Sequence, residues 1–593
     1  MKKYLPTFIF IILILAMTGS YSQQRFYLNF KDRSSDLFTV TLIPEQLSHE
    51  NQIYQFASTA PGTYETMNIG RFVKSFKAYN EDGKEIETKQ QSVNQWLLSN
   101  PEEVRKIIYE IDDTWDYPMD SNWIYPMCGS AVDSNYVVIN GQCVFGYFHG
   151  MQSEPIDVKL EYPDSWTIGT ALPLDDDGYY EAEDYDQIVD SPMMLGKLTK
   201  ATAEISGADI DIYTYSKTGL LQSNEILKSV KDILNAEDKF TDGLPVNHYT
   251  FLFHFENLSV GAWEHSYSSF YVFREDSLSR LNKQGFENYI AHEFFHIVTP
   301  LNIHSELVEK FNFEKPVMSK HLWLYEGVTE WASQIMLLRD SLMPLEQYEK
   351  ILQRKMNQSE SFDKNLSLTY LGEHSTELKD QYLNIYAKGA LVAGLLDIRL
   401  LQLSGGKKGL RELINELAGT YGPHHSFSEK TFFDDLVKMT YPEIRDFIDR
   451  YIAGAEPLPV KEYYNKIGIN YLEQGSFDSS NVSLGIQIGF DNGNFIVAKI
   501  DEDSPNYSIF KTGDVIHKVE GQEVTMDNIQ EIITGIRKTK KGGDSLKMTV
   551  LRNNMPVDLN LILEIPKQKN IFSVNEKATA AEVSLRNIWL KNL

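Results

Sequence analysis

Cysteine is almost absent from this chain, in which only Cys128 and Cys143 carry a thiol among 593 residues. This scarcity excludes a disulfide-rich scaffold and a metal site built from several cysteines. The two cysteines match no metal-site spacing, although one disulfide between them is permitted in an exported protein. Stability must therefore come from hydrophobic cores. A hydrophobic content of 42% with 23% charged residues is typical of globular domains.

Basic residues are also scarce, because 56 Lys and Arg stand against 83 Asp and Glu and give a net charge of −27. Nucleic-acid binding requires a concentration of Lys and Arg, so this partner class is excluded. The acidic excess indicates a soluble, mutually repelling surface. The length favours about three or four domains of ordinary size.

Long apolar runs are missing after the N terminus, so no stable membrane span is expected. Lys2 and Lys3 precede an apolar run over residues 4–17, which small and polar residues follow. This pattern is typical of a secretory signal peptide, and we expect residues 1–22 to be removed after Ser22. The mature protein is then expected to be periplasmic or extracellular.

The hydrophobic period divides the mature chain into segments. Residues 23–195 contain strand-like segments such as RFYLNF and RKIIYEID and predict an antiparallel β-sandwich. Residues 196–465 are mostly helical in period, with strand-like HYTFLFHF and SSFYVF predicting a small sheet. Residues 466–566 return to short strands with glycine turns. Residues 567–593 are expected to be a C-terminal tail without chemistry.

The segment AHEFFHIVTP at residues 291–300 places two histidines four positions apart. Residues i and i+4 share one helical face, so His292 and His296 can point at one metal ion. Glu293 would lie beside that metal, placed to take a proton from a water. Apolar residues at helical spacing support the helix, and Pro300 ends it. Two ordinary histidines on a buried helix are the alternative.

A zinc site requires a third protein ligand and leaves the fourth position to water. A third histidine two turns further on is excluded, because Thr299 and Asn302 occupy those places. The nearby candidates are His304, Glu306, Glu309, His321, Glu326 and Glu330.

Glu326 lies in HLWLYEGVTEWASQIMLL, residues 321–338, whose apolar stripe predicts a second amphipathic helix. It would open that helix among aromatic residues, where a carboxylate needs a partner and a metal ion is the best one available. An ordinary first-turn glutamate favoured by the helix dipole is the alternative. Glu330, one turn later, is expected to support a ligand histidine.

HEFFH followed at this distance by LWLYEGVTEW resembles the glycyl aminopeptidase family, which comprises PDZ-bearing zinc metallopeptidases of the gluzincin group. The resemblance covers nearly the whole mature chain. It implies one zinc ion per chain, bound by His292, His296 and Glu326, with Glu293 as general base. It also implies a multidomain α+β protein in which a thermolysin-like, mostly α-helical catalytic domain lies between the β domain and a PDZ domain.

Two further motifs extend the resemblance to substrate binding. Gly261-Ala-Trp-Glu-His265 is similar to the family's glycine-glycine-x-glutamate-histidine segment, which implies that Glu264 pairs with the substrate's α-ammonium. Gly261 and Ala262 would offer backbone groups to an extended substrate. His265 could support Glu264 or be structural. Tyr386-Ala-Lys-Gly resembles the tyrosine-x-lysine-glycine helix, which implies that Tyr386 stabilises the oxyanion.

The C-terminal segments resemble a PDZ domain. SLGIQI at residues 483–488 is similar to a PDZ carboxylate-binding loop, formed by Leu484, Gly485 and Ile486, and FKTGDVIHKVEGQEV is similar to the later strands. A PDZ domain binds a peptide C-terminus or an extended strand at a sheet edge. A plain strand with a bulge is the alternative for the loop.

These observations predict a zinc metalloaminopeptidase. Its expected substrates are peptides with a free N-terminus, and by resemblance the first residue is small, glycine or alanine. Two alternatives are a zinc endopeptidase with PDZ-guided substrate selection and an inactive zinc fold that serves as a PDZ scaffold.

Overall fold

The computed structural model describes residues 23–118, 123–475, 482–491, 493–526 and 528–593. The expected signal peptide, residues 1–22, lies outside the described residues. Among the described residues no helix combines the length and apolar composition needed to cross a membrane. The chain forms an N-terminal β-rich part, a helical middle part and a C-terminal β-rich part, so the predicted multidomain fold class is confirmed.

The N-terminal part consists of short strands arranged in three sheets. Its elements are β1 (Gln24–Asn29), β2 (Leu37–Ile43), β3 (Ile53–Phe56), β4 (Val73–Tyr79), β5 (Glu85–Ile86), β6 (Thr88–Gln90), β7 (Gln95–Leu98), β8 (Lys106–Asp112), β9 (Ala131–Val132), β10 (Tyr136–Ile139), α1 (Gly141–Val144), β11 (Gly146–Phe148), β12 (Ile156–Glu161), β13 (Thr167–Gly169), β14 (Tyr180–Ala182), α2 (Tyr185–Val189) and β15 (Met193–Gly196).

Alternation of buried and exposed residues explains how these strands pack. In β8, Ile107, Tyr109 and Ile111 are buried and their neighbours are not, which directs one face of the sheet to the core. The largest sheet has the order β14-β12-β1-β2-β8-β4-β5. Its β1–β12 pair is parallel, so the prediction of a purely antiparallel sandwich is wrong at this pair. Cys128 and Cys143 are buried and free, and the permitted disulfide is not formed.

The middle part combines a five-stranded sheet with helices. The strands are β16 (Thr199–Ile205), β17 (Ala208–Ser216), β18 (His248–Phe255), β19 (Gly261–Glu264) and β20 (Ser268–Phe273). The helices are α3 (Ser223–Thr241), α4 (Leu278–Lys283), α5 (Phe286–Phe295), α6 (Glu306–Glu309), α7 (Thr329–Arg339), α8 (Leu345–Ser359), α9 (Leu368–Glu373), α10 (Leu383–Leu403), α11 (Leu410–Thr420), α12 (Phe432–Met439), α13 (Ile444–Tyr451) and α14 (Val460–Lys466). The sheet order is β16-β17-β18-β20-β19, which leaves β19 at an edge.

The second predicted helix differs in its first turn. Residues Trp323–Val328 form a π-helical turn, and α7 begins only after it. Gly327 of this turn meets Gly389 of α10 so closely that a Cβ atom on Gly327 would lie 2.6 Å from the Gly389 Cα atom. The two backbones can touch only because both residues are glycine. A π turn often marks a functional site in a helix.

The C-terminal part is inserted between two strands that pair with each other. β21 (Ile469–Gly475) and β28 (Gln568–Val574) form an antiparallel ladder. Between them lie β22 (Ile486–Asp491), β23 (Asn494–Ile500), β24 (Val515–Val519), β25 (Gln522–Glu523), α15 (Ile529–Thr539), β26 (Ser545–Arg552) and β27 (Met555–Ile562). The chain ends with α16 (Ala580–Trp589).

Residues 567–593, expected to be a tail, instead complete the core of the middle part. Trp589 is 1% exposed and its ring lies beside that of Tyr348. The Arg339 side chain donates a hydrogen bond to the Trp589 carbonyl oxygen at 2.9 Å and forms a fully buried ion pair with Asp397 at 2.7 Å. Breaking such buried partners is strongly destabilising. The sequence pattern missed this role because α16 is short and contributes one large aromatic residue.

The ladder predicts that the inserted domain can be excised. Gly475 and Gln568 are paired neighbours, so a two-residue Asn-Gly turn can join them after deletion of the residues between. We expect this variant to unfold at a temperature close to that of the full chain and to keep hydrolysing short peptides.

A truncation after Pro457 is the matched comparison. It removes β21, β28 and Trp589, and we expect it to lose cooperative thermal unfolding in circular dichroism. A truncated chain that unfolds like the full protein would show that residues 567–593 have no structural role.

Candidate active site

The Nε2 atoms of His292 and His296 both point toward the Glu326 carboxylate. Their Nε2 atoms lie 3.5 and 3.7 Å from Oε2 of Glu326. The opposite nitrogens are bonded elsewhere, because His292 Nδ1 donates to Glu330 at 2.9 Å and His296 Nδ1 donates to the Thr299 carbonyl oxygen at 2.9 Å. A carbonyl oxygen can only accept, so neutral His296 keeps its Nε2 lone pair free toward Glu326.

Glu326 is buried in the π-helical turn rather than at the start of an α-helix. Burial raises the pKa of Glu326, but the hydrogen bond from His292 and the electrostatic effect of the two imidazole rings outweigh it and lower the pKa below its ordinary value. Glu330 lies one turn later and accepts hydrogen bonds from His292 and Lys355. Glu330 therefore contacts the Nδ1 side of His292 and does not face the region between the two Nε2 atoms and Glu326.

The donor atoms of His292, His296 and Glu326 all lie within 4.8 Å of one another. Two imidazole nitrogens and one carboxylate oxygen, buried and aimed at a common point, form a donor set that fits a divalent transition metal. Partners on the far side of each imidazole are the usual companions of such ligands. The residues present therefore fit a metal ion.

Glu293 lies on the same side of α5 but does not belong to that set. It forms a second close group with Glu264 and His296. Burial raises the pKa of Glu293 to about 7; the charge of His292 opposes the rise, and the carboxylates of Glu326 and Glu330 add to it. A carboxyl group with a pKa near neutrality can both accept and donate a proton.

Glu264 ends the edge strand β19 and faces the cleft. A loop of the N-terminal part covers it, because a Cβ atom on Gly62 would lie 2.6 Å from Glu264 Oε1. Trp263 fixes this loop by donating from Nε1 to the Pro61 carbonyl oxygen at 3.2 Å. Burial and the charges of Glu293 and Glu326 raise the pKa of Glu264 well above its ordinary value. A cationic ligand group would relieve this crowding of carboxylates.

Side chains alternate between the two faces of β19, so the other residues of the segment GAWEH, residues 261–265, point in different directions. Ala262 lines the cleft with Glu264, whereas a Cβ atom on Gly261 would lie 2.4 Å from Met127 Sδ. A side chain at residue 261 would therefore collide with Met127, whereas the expectation that the Gly261 backbone contacts substrate stays a prediction. His265 meets the Trp263 ring edge-on and pairs with Asp190 at 3.3 Å, not with Glu264. Successive residues of a strand point to opposite faces, which explains this.

Three tyrosines surround Glu326. Tyr386 lies on α10 with its ring centroid 5.6 Å from that of His292, and its hydrogen bond helps to lower the pKa of Glu326. The Tyr382 and Tyr386 hydroxyl oxygens are 3.2 Å apart. Tyr64, from the N-terminal part, donates its hydroxyl to Glu326 Oε1 at 3.3 Å. Sequence reasoning missed Tyr64 and Tyr382.

These residues line one cleft of about 790 Å³ between the N-terminal part and the helices. Its N-terminal wall includes Thr63, Tyr64 and Met127, and its helical wall includes His292, Glu293, Glu326 and Tyr386. Thr63 and Tyr64 lie in the stretch APGTYETMNIGRFV, residues 60–73, whose position in space the sequence does not give.

Comparison with known proteins identifies each part of the chain. The profile of the peptidase M61 N-terminal domain matches residues 25–197. The M61 glycyl aminopeptidase profile matches residues 285–392, which include the histidines and Glu326. The chain carries both domains of an M61 glycyl aminopeptidase. A PDZ domain profile matches residues 482–563. The resemblance found in the sequence is thereby confirmed, and the protein is a metalloaminopeptidase.

A solved structure shares the overall fold of this chain. An aminopeptidase N family protein from Idiomarina loihiensis superposes with a TM-score of 0.74 at 20% identity, over 96% of this chain and 100% of that one. Leukotriene A4 hydrolase from Saccharomyces cerevisiae gives a TM-score of 0.45 at 15% identity, over 75% of this chain and 70% of that one. Curated protein sequences give no match.

The contact between Tyr64 and Glu326 predicts that the N-terminal domain contributes to metal affinity. Tyr64→Phe removes the hydroxyl that orients Glu326, so we expect the affinity for Zn²⁺ to fall by about tenfold, as loss of such supporting groups does. Competition with a chromophoric chelator measures the Zn²⁺ affinity of each variant. Tyr27→Phe is the matched control, because Tyr27 bonds only Tyr179 far from the cleft. Equal affinities for the two variants would contradict the prediction.

Proposed function

We propose that the protein is an exported zinc aminopeptidase that removes a small first residue, glycine or alanine, from peptides with a free N-terminus. One observation carries the proposal: a candidate metal site, a glutamate with a pKa near 7 and a further, half-buried glutamate meet in one cleft. The export of the chain rests on the signal-peptide pattern at its start.

His292, His296 and Glu326 would hold the metal ion, through both Nε2 atoms and the carboxylate. Zinc suits two imidazoles and one carboxylate with a fourth position open. When bound, zinc supplies Lewis acidity that polarises the scissile carbonyl group and lowers the pKa of the attacking water. Glu330, held by Lys355, keeps the His292 ring in the orientation that leaves Nε2 free.

Glu293 would move the proton. Its carboxylate accepts a proton from the attacking water and later donates it to the nitrogen of the leaving amine. A pKa of about 7 fits both steps, since neither direction of transfer is strongly uphill at neutral pH. The neighbouring carboxylates of Glu326 and Glu330 contribute to this raised pKa, so residues of the candidate metal site help to make Glu293 a suitable base.

Glu264 would bind the α-ammonium group of the substrate. This half-buried carboxylate beside Glu293 gains a charged partner from a free N-terminus, whereas an internal or acetylated segment leaves it unpaired. Gly62 lies against Glu264 and leaves little room for a side chain on that side, which supports a small first residue. The free edge of β19, including Ala262, offers main-chain groups to an extended peptide.

Tyr386 would donate a hydrogen bond to the carbonyl oxygen of the substrate as negative charge develops there. Its hydroxyl lies next to that of Tyr382, which can orient it. Burial and the charge of Glu326 raise the pKa of Tyr386 well above its ordinary value, so the phenol stays protonated and able to donate.

Glu293→Gln tests the division between ligand and base. We expect the variant to keep one Zn²⁺ per chain, because Glu293 is outside the ligand set, and to lose about a thousandfold in kcat. Metal content by mass spectrometry and hydrolysis of a glycine-amide substrate measure the two quantities. Glu287→Gln, on the same helix but bonded to Ser229 and Asn282, is the control and should keep both. Loss of zinc from Glu293→Gln would assign Glu293 to the ligand set.

Glu264→Ala tests the exopeptidase function. We expect KM for peptides with a free N-terminus to rise by about tenfold or more, since a charged hydrogen bond is lost. N-acetylated peptides of the same sequence should be poor substrates of the wild-type enzyme. Internal cleavage of acetylated peptides at rates equal to those of free peptides would establish the endopeptidase instead. Zinc binding without any cleavage would establish the scaffold.

A further inference from the structure

The PDZ domain exposes one edge of its sheet. Within the part of the chain that the structure describes, β22 pairs with β23 alone, so the main-chain groups on its other side face no strand. Ile488 and Phe490 of this strand are 46% and 54% exposed. An edge strand with exposed apolar residues is a template for an added extended segment.

The loop before β22 is poorly suited to capture a carboxylate. Such capture uses free backbone N–H groups that converge on the anion. Here the Gly485 N–H donates to Ser483 Oγ at 2.9 Å. The Leu484 carbonyl oxygen accepts hydrogen bonds from Ser504 Oγ at 3.2 Å and Asn506 Nδ2 at 3.0 Å. These bonds hold the loop to its own domain, and the Gly485 N–H is already engaged within it.

The charge at this loop is also negative. Glu564 is joined to Ser483 by two backbone hydrogen bonds of 2.8 and 2.9 Å. Its carboxylate lies against the loop, because a Cβ atom on Gly485 would be 2.5 Å from Glu564 Oε1. Burial and the charge of Asp501 raise the pKa of Glu564, although Ser504 and Lys567 oppose the rise. Lys567 is itself 3.8 Å from Asp503.

We propose that the PDZ domain binds an internal, basic segment of an extended peptide along β22, with a Lys or Arg side chain at Glu564 and Asp501, and that it does not select a C-terminal carboxylate. Like charges at the loop disfavour a terminal carboxylate, whereas a basic side chain is attracted. The expectation that Leu484, Gly485 and Ile486 bind a carboxylate is replaced by a role as the start of the edge strand.

The test uses the full chain and three fluorescein-labelled peptides with acetylated N-termini. The first alternates Val and Lys over nine residues and ends in an amide; the second ends in a free acid; the third has Glu in place of Lys and ends in an amide. Fluorescence anisotropy gives Kd for each. We expect the basic amide to bind at least as tightly as the basic acid, and about tenfold or more tightly than the Glu peptide.

Two variants locate the contact. Glu564→Gln should weaken binding of the basic peptide amide several-fold and strengthen binding of the basic peptide with a free acid. Glu523→Gln, on β25 of the same domain, should change neither Kd. Excision of residues 476–567 should abolish binding. A free acid bound tenfold more tightly than the amide, unchanged binding by Glu564→Gln, or binding that survives the excision would each overturn the proposal.

Discussion

The carboxylate of Glu326 is the group on which the rest of the site depends. A buried charge is costly unless several partners meet it. Here the partners come from different elements: the histidines of α5 on one oxygen, Tyr64 of the N-terminal domain on the other, and Tyr386 of α10. Because each partner belongs to another part of the chain, satisfying this one charge fixes the relative position of those parts.

A close contact between the backbones of the π-helical turn and α10 allows these partners to reach Glu326. The π-helical turn displaces Glu326 from the register of α7, and the Gly327–Gly389 contact lets α10 approach that turn. A methyl group at either glycine would force the two backbones apart and move Tyr386 away from the cleft. The apolar spacing of the sequence correctly predicted a helix here, but a π turn has no signature in hydrophobic periodicity.

The two flanking domains are joined to the middle part in different ways. The N-terminal domain supplies Gly62 and Tyr64 to the cleft, and Trp263 of the catalytic sheet packs into the core of the N-terminal domain. The PDZ domain, in contrast, is inserted through the β21–β28 ladder, and the chain returns from it to bury Trp589 beneath α7 and α10. One flanking domain therefore shapes the cleft, whereas the other is inserted through a ladder whose own residues Ile469, Tyr471 and Phe572 belong to the core of the middle part.

The sequence by itself determined the elements with strong local patterns: the strands of the β domain, the helix of His292 and His296, and the resemblance that pointed to Glu326, Glu264 and Tyr386. The strands and the helix follow from residue spacing, which the chain carries along its length, whereas the last three residues were implied by motifs of the resembled family. Only the tertiary structure decided that Gly261 packs on Met127, that His265 pairs with Asp190, that Tyr64 reaches Glu326 and that Trp589 is core. Each of these contacts joins residues that are distant in sequence or lie on opposite faces of a strand, so no local period can encode it.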